Sequence, residues 1–172
     1  MSVPRALTFA DFALPTNIVS KSDVSRLVAE FEQVDDQLTT AAIRSKTGAG
    51  QPAPLSLSQQ LTEFMNQNKL RPSTSKERSE LIKQLRLLKD SVPVMHMTFA
   101  VEADRESLQQ LVQWLRSSVH KQAVITVGIQ PALIAGVYMR TPNHVRDLSL
   151  RASLKGSRGV LVKDLEALRG SR

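Results

Sequence analysis

Apolar side chains recur at helical spacing up to residue 91 and alternate after it, and that switch divides the chain. Val24, Leu27, Val28, Phe31, Val34, Leu38 and Ala42 lie at i, i+3, i+4, i+7 intervals. They predict one amphipathic helix from Ser20 to about Ser45. Ser20-x-x-Asp23 at its head is a capping-box pattern, with a carboxylate near the positive end of the helix dipole. Gly48, Gly50, Pro52 and Pro54 then predict a loop. Ser56-x-x-Gln59 opens a second helix carrying Leu57, Leu61, Phe64 and Met65; it ends near Asn68, because Pro72 forbids simple continuation. Thr74-x-x-Glu77 opens a third, with Leu81, Ile82, Leu85 and Leu88. Residues 1–19 lack a clear period and contain Pro4 and Pro15, so they read as an irregular arm. Residues 1–92 are expected to form a helical module.

From Pro93 the period becomes two. Met95, Met97, Phe99 and Val101 alternate with His96, Thr98 and Ala100, which predicts a strand with one buried face. Asp104 can cap a helix bearing Leu108, Leu111, Val112, Leu115 and Val119. Ala123, Ile125, Val127 and Ile129 repeat the strand signature, and Val137 to Thr141 makes a third strand. Thr141-Pro142-Asn143-His144 suits a type I turn. A last helix is expected from about Asp147, with Leu150, Leu154, Leu161, Leu165 and Leu168 on one face. Gly156 and Gly159 weaken its middle by ~1 kcal/mol each relative to alanine. The fold class is therefore α+β: a helical module over 1–92, then a small strand–helix–strand–strand–helix domain over 93–172.

Between the second and third strands, Pro131 suits the first residue of a short helical turn, since its missing N–H would have no partner there. Leu133 and Ile134 supply apolar anchors within that turn. Gly136 allows a sharp bend or a close approach to a neighbouring strand. Asp147 is placed to cap the last helix, with Ser149 and Arg151 in its first turn.

Composition narrows the chemistry. The chain has 172 residues, 41% apolar and 23% charged, which is ordinary for a globular protein. Cysteine is absent, so disulfide and thiolate chemistry are excluded, and a reducing compartment fits. No run nears the ~18 apolar residues of a membrane span, and the first twenty residues lack a secretory or transit pattern, so a cytoplasmic protein is expected. His96, His120 and His144 fall in three separate elements without metal-ligand spacing. Asp35 and Asp36 are adjacent on a helix and point apart. No nucleophile elbow, phosphate loop or dinucleotide fingerprint occurs. The reading is a protein with no catalytic residue, no cofactor, no metal and no small-molecule substrate. Met95, Met97 and Phe99 read as core, and Trp114 as core edge.

Charge then points to partners. Of the formal net charge of +7, a surplus of five lies between Arg140 and Arg172, where eight Lys/Arg face three acidic residues. Such an end attracts an acidic partner, nucleic acid or an anionic surface, and a solvated basic helix face accounts for it at least as well.

The order Pro-x-Leu-Ile-(Gly/Ala)-Gly-Val, a short hairpin, then Asp-x-Ser-(Val/Leu)-x-x-x-Leu is similar to the C-terminal region of the ATP synthase delta subunit, whose mitochondrial counterpart is the oligomycin-sensitivity-conferring protein. The matching residues are Pro131, Leu133, Ile134, Gly136, Val137, Asp147, Ser149, Leu150 and Leu154. The similarity runs from Val94 to Leu168. Gln130 stands where the family has Asp, and residues 20–91 carry three clear helices where the family has a bundle of six. The resemblance implies a non-catalytic stator subunit, joining N-terminal segments of the alpha subunits to the C-terminal ends of the peripheral-stalk b subunits. It would be peripheral to the inner or plasma membrane and touch it only through the complex. Arg151, Lys155, Arg158 and Lys163 are the candidate partner contacts. The rival from another class is a small basic RNA-binding α+β protein, since Gly156-Ser157-Arg158-Gly159 resembles the GxxG loop of KH domains. Lys155 before the first glycine, and a single Trp and Tyr for stacking, weigh against it.

Overall fold

The computed structural model describes residues 8–47, 56–141 and 143–170. Among these residues five helices and four strands follow in the order α1 (Lys21–Thr47), α2 (Gln59–Gln67), α3 (Ser75–Ser91), β1 (Val94–Phe99), α4 (Arg105–Ser118), β2 (Val124–Ile129), β3 (Gly136–Arg140), β4 (Val145–Ser149) and α5 (Leu150–Gly170). Short 3-10 turns sit at Phe9–Asp11 and Pro131–Leu133. The α+β class expected from the periodicity is the one observed. The loop glycines and prolines 48–54 and the turn residue Pro142 lie outside the described residues. The residues gather into two compact units: 1–93 with 108–124, and 94–107 with 125–172.

In the first unit the helix starts follow local chemistry. The Asp23 carboxylate accepts from the backbone N–H of Val19 (3.0 Å) and Ser20 (2.9 Å), and Ser20 Oγ accepts from the Asp23 N–H, closing the capping box at the head of α1. Thr74 and Glu77 close another at α3. The cap of α2 is Ser58 rather than Ser56. Its hydroxyl accepts from the Leu61 N–H, while its own N–H and hydroxyl donate to Glu30 on α1 at 2.6 Å. That tie to α1 fixes where the helix begins, and the Ser56 pattern could not reveal it.

The core of this unit includes a segment that has no period in sequence. Phe12, Leu14, Ile18 and Val19 are buried among Val24, Leu27, Phe31, Leu61, Phe64, Leu85 and Leu88. The Phe12 and Phe64 rings meet edge to face with centroids 5.5 Å apart. The expected irregular arm is thus irregular in backbone but central in packing. Its peptide groups cannot pair with a neighbouring strand, so side chains satisfy them. Asn68 Oδ1 accepts from the Ala13 N–H and Asn68 Nδ2 donates to the Ala13 carbonyl. Gln122 Nε2 donates to the carbonyls of Phe9 and Phe12. Arg116, on α4 beside the buried Val112 and Leu115, donates to the carbonyls of Leu14, Pro15, Ile18 and Ala123 at 2.5 to 3.1 Å. Burial pushes its pKa down to about 10, still well above neutrality, so the guanidinium stays charged. Trp114, read from sequence as core edge, is exposed on α4, and Val119, just past the end of that helix, is exposed as well.

The second unit is built on a sheet of order β2-β1-β3-β4. β1 pairs antiparallel with β3 (Met97 opposite Met139) and β3 with β4 (Tyr138 opposite Asp147). The Val124 N–H donates to Pro93 O and the Gln130 N–H to Phe99 O, the same offset of 31 at both ends, so β2 runs parallel to β1. Met97 is buried, but Val101 lies past the end of β1 and is exposed rather than on the buried face. Asp104 caps α4 as expected, accepting from the Ser107 N–H and hydroxyl.

Candidate partner-binding surface

The stretch from Gln130 to Arg151 is the most unusual backbone among the described residues. Pro131 opens the 3-10 turn at its first position, as its missing N–H favours, and Leu133 is buried beneath it. Ile134 then adopts φ 69° and ψ −54°, while the Ala135 N–H donates to Leu133 O at 2.8 Å. This is a γ-turn of the strained, positive-φ hand, with a β-branched residue at its centre. Ile134 is 59% exposed, so the sequence expectation that it anchors the turn in the core is corrected: the turn that buries Leu133 swings the next side chain outward.

Gly136 follows with φ 87°. A Cβ there would lie 2.3 Å from the Leu148 carbonyl oxygen, which is the close strand approach the glycine permits. Val137 pairs opposite Leu148. The turn from β3 to β4 closes with the Thr141 N–H on His144 O (2.8 Å) and the His144 N–H on Thr141 Oγ1 (3.0 Å). β4 is an addition to the three strands read from sequence, and it moves the start of the last helix. Asp147 lies inside β4 rather than at the helix cap. Its Oδ1 accepts from the Ser149 N–H (3.0 Å), and the buried Ser149 takes the capping role, its Oγ accepting from the Ala152 N–H (3.2 Å). The Ser149 hydroxyl first, then its N–H, with the Arg151 charge beyond, hold the Asp147 carboxyl below the usual carboxylate range. The Leu150 N–H donates to Ala135 O, tying the helix start to the γ-turn.

α5 then runs without a break through Gly156 and Gly159. That removes the GxxG-loop reading, which needs a loop between two helices. Leu150 and Leu154 are 43% and 47% exposed, and Val160 and Val162 are exposed further along. The side chains of Leu161, Leu165 and Leu168 lie outside the described residues. Arg151 and Lys155 line a cavity beside Tyr138 and Asp147, whereas Arg158 and Lys163 are exposed farther along the helix. Ile134, Leu148, Leu150 and Leu154 together form an uncovered apolar margin where the γ-turn, β4 and α5 meet. Among the described residues no group of His, Asp or Glu is placed to hold a metal ion, and no helix is long and apolar enough to cross a membrane.

These features define an α+β protein whose most specific element is a strained turn feeding a hairpin and a long helix. The model of the ATP synthase delta (OSCP) subunit family matches residues 76–161, half of the chain. The chain belongs to the ATP synthase delta (OSCP) subunit family, a non-catalytic component of the ATP synthase complex. No curated protein matched the chain.

Proposed function

We propose that the protein is the delta-type stator subunit of an F-type ATP synthase. In this reading it joins N-terminal segments of the alpha subunits, at the catalytic head, to the C-terminal ends of the b subunits. It lies on the cytoplasmic side, peripheral to the inner or plasma membrane. The observation that carries the reading is the apolar margin of Ile134, Leu148, Leu150 and Leu154 left uncovered beside a row of cations on α5. An amphipathic partner helix with acidic flanks would cover both at once. Arg151, Lys155, Arg158 and Lys163 are the proposed contacts on that side. The helical unit would face alpha, and two modest contacts on one assembly hold far better than either alone.

The test is affinity capture of the tagged chain, read by mass spectrometry. Alpha and b should both be recovered. Deleting residues 131–172 should remove b and keep alpha, and the pair Arg158→Glu and Lys163→Glu should weaken b recovery alone. Recovery of neither subunit would sink the proposal.

A further inference from the structure

The margin just described uses one side of the second unit. Beside it the Tyr138 face of the sheet carries a groove that meets the stator contacts only at Arg151 and Lys155. His96 and Thr98 on β1 stand opposite Arg140 and Tyr138 on β3, and Tyr138 stands opposite Asp147 on β4. Two cavities open on this face and share Tyr138, the single tyrosine of the chain. One, of about 570 Å³, is bounded by Gln130, Leu133, Tyr138, Asp147, Arg151 and Lys155. The other, of about 450 Å³, lies toward His96 and Arg140. Each falls in the 300 to 1,000 Å³ typical of small-molecule sites.

The lining sorts by chemistry. Leu133 and the Tyr138 ring give an apolar wall; Tyr138 is half-buried and within reach of both cavities. Arg151 and Lys155, one turn apart on α5, supply cations at one end, and Arg140 supplies a third about 7 Å along β3 from Tyr138. None of the three forms a salt bridge among the described residues. Asp147 and Gln130 add acceptors, and Gln130 adds an amide donor. Cations to hold phosphates, an aromatic face for a planar ring, and a carboxylate with an amide for hydroxyl and amine groups are the elements of a nucleotide site.

The geometry points to a nucleoside-triphosphate-binding groove on the Tyr138 face of the sheet, with phosphates on Arg151 and Lys155 and the base against Tyr138. No bond is made or broken there; the site is a binding site only. It shares Arg151 and Lys155 with the proposed stator contacts, so a nucleotide and the b subunit would compete for those two cations, whereas Ile134 and the outer cations of α5 belong to the stator contact alone.

Amide NMR titration of the full chain tests it, with ATP, tripolyphosphate and adenosine as separate probes up to about 5 mM, a range that detects millimolar binding. ATP should give saturable shifts centred on Tyr138, Asp147, Arg151 and Lys155, and bind at least ~10-fold more tightly than either fragment. The pair Arg151→Ala and Lys155→Ala should weaken ATP ~10-fold or more, whereas Arg140→Ala, beyond Tyr138, should weaken it far less. Tyr138→Ala should erase the preference for ATP over tripolyphosphate, while Lys163→Ala should change nothing. No saturable shift, shifts centred elsewhere, equal affinity for tripolyphosphate, or indifference to the charge variants would each overturn the assignment.

Discussion

The two units spend their apolar residues in opposite ways. Among the described residues, all of the twelve largest fully buried side chains but Ile125 lie in the first unit, whereas ten of the fifteen large apolar residues left exposed lie in the second. Burying a Leu or Phe side chain contributes roughly 1.5–3 kcal/mol, so the first unit carries most of the hydrophobic stabilisation. The second is a thin sheet with apolar side chains turned outward, an arrangement that suits a surface completed by another protein. The first unit is organised around its own core, whereas the second leaves much of its apolar surface to solvent.

The largest effect should come from Arg116, whose guanidinium donates to the carbonyls of Leu14, Pro15 and Ile18. Arg116→Met keeps the stem and removes the donors. Several buried carbonyls then lose partners at about 1–3 kcal/mol each, and the first unit should unfold at markedly lower urea. The second unit's amide shifts should persist. If both units melted together, the contrast between them would fail.

Gly136→Ala attacks the other side. A positive φ costs about 1–3 kcal/mol for a residue with a side chain, and the added methyl would also meet the Leu148 carbonyl. The β3–β4 pairing should loosen, with faster amide exchange from Val137 to Ser149, while the first unit's urea midpoint stays in place.

A smaller effect belongs to the capping box of α3. Thr74→Ala should cost about 1 kcal/mol. Glu77 accepts from the N–H groups of Ser73 and Thr74, and those bonds lower its pKa from 4.5. A lowered carboxylate pKa means stability fully present above the unfolded value near 4.5 and lost as pH falls through the folded value. Glu77→Gln should therefore flatten part of the acid limb of the stability profile below about pH 4.5, with little change near neutrality.

What the sequence disclosed depended on whether the physics was local. Helical spacing, the Ser20 and Thr74 capping boxes, the Asp104 cap and the Pro131 turn are written in neighbouring residues, and all were legible. The burial of Phe12, Leu14 and Ile18 was not, because side chains from about a hundred residues away satisfy that segment's backbone, and no period records such a bond. A run of apolar residues without a period was the available signal. Asp147 misled for a related reason. Asp and Ser are both good caps, and only the pairing of Val145–Ser149 with β3 decides between them. The proposed groove gathers residues from β1, β3, β4, the 3-10 turn and α5, so spacing along the chain could not show it.

Ile134 separates stability from recognition most finely. Its positive φ is strained for a β-branched residue, yet its side chain is turned to solvent, so the isolated fold gains little from having isoleucine there. Glycine takes this conformation freely. Ile134→Gly should therefore relieve strain of about 1–3 kcal/mol, offset by roughly 0.5–1 kcal/mol of extra chain entropy in the unfolded state. The second unit should emerge equally stable or slightly more so. Capture of the b subunit should nevertheless fall, because the apolar knob on the margin is gone. A variant that lost stability and kept full capture would show that Ile134 serves the fold and not the partner, and would move the proposed contact away from the γ-turn.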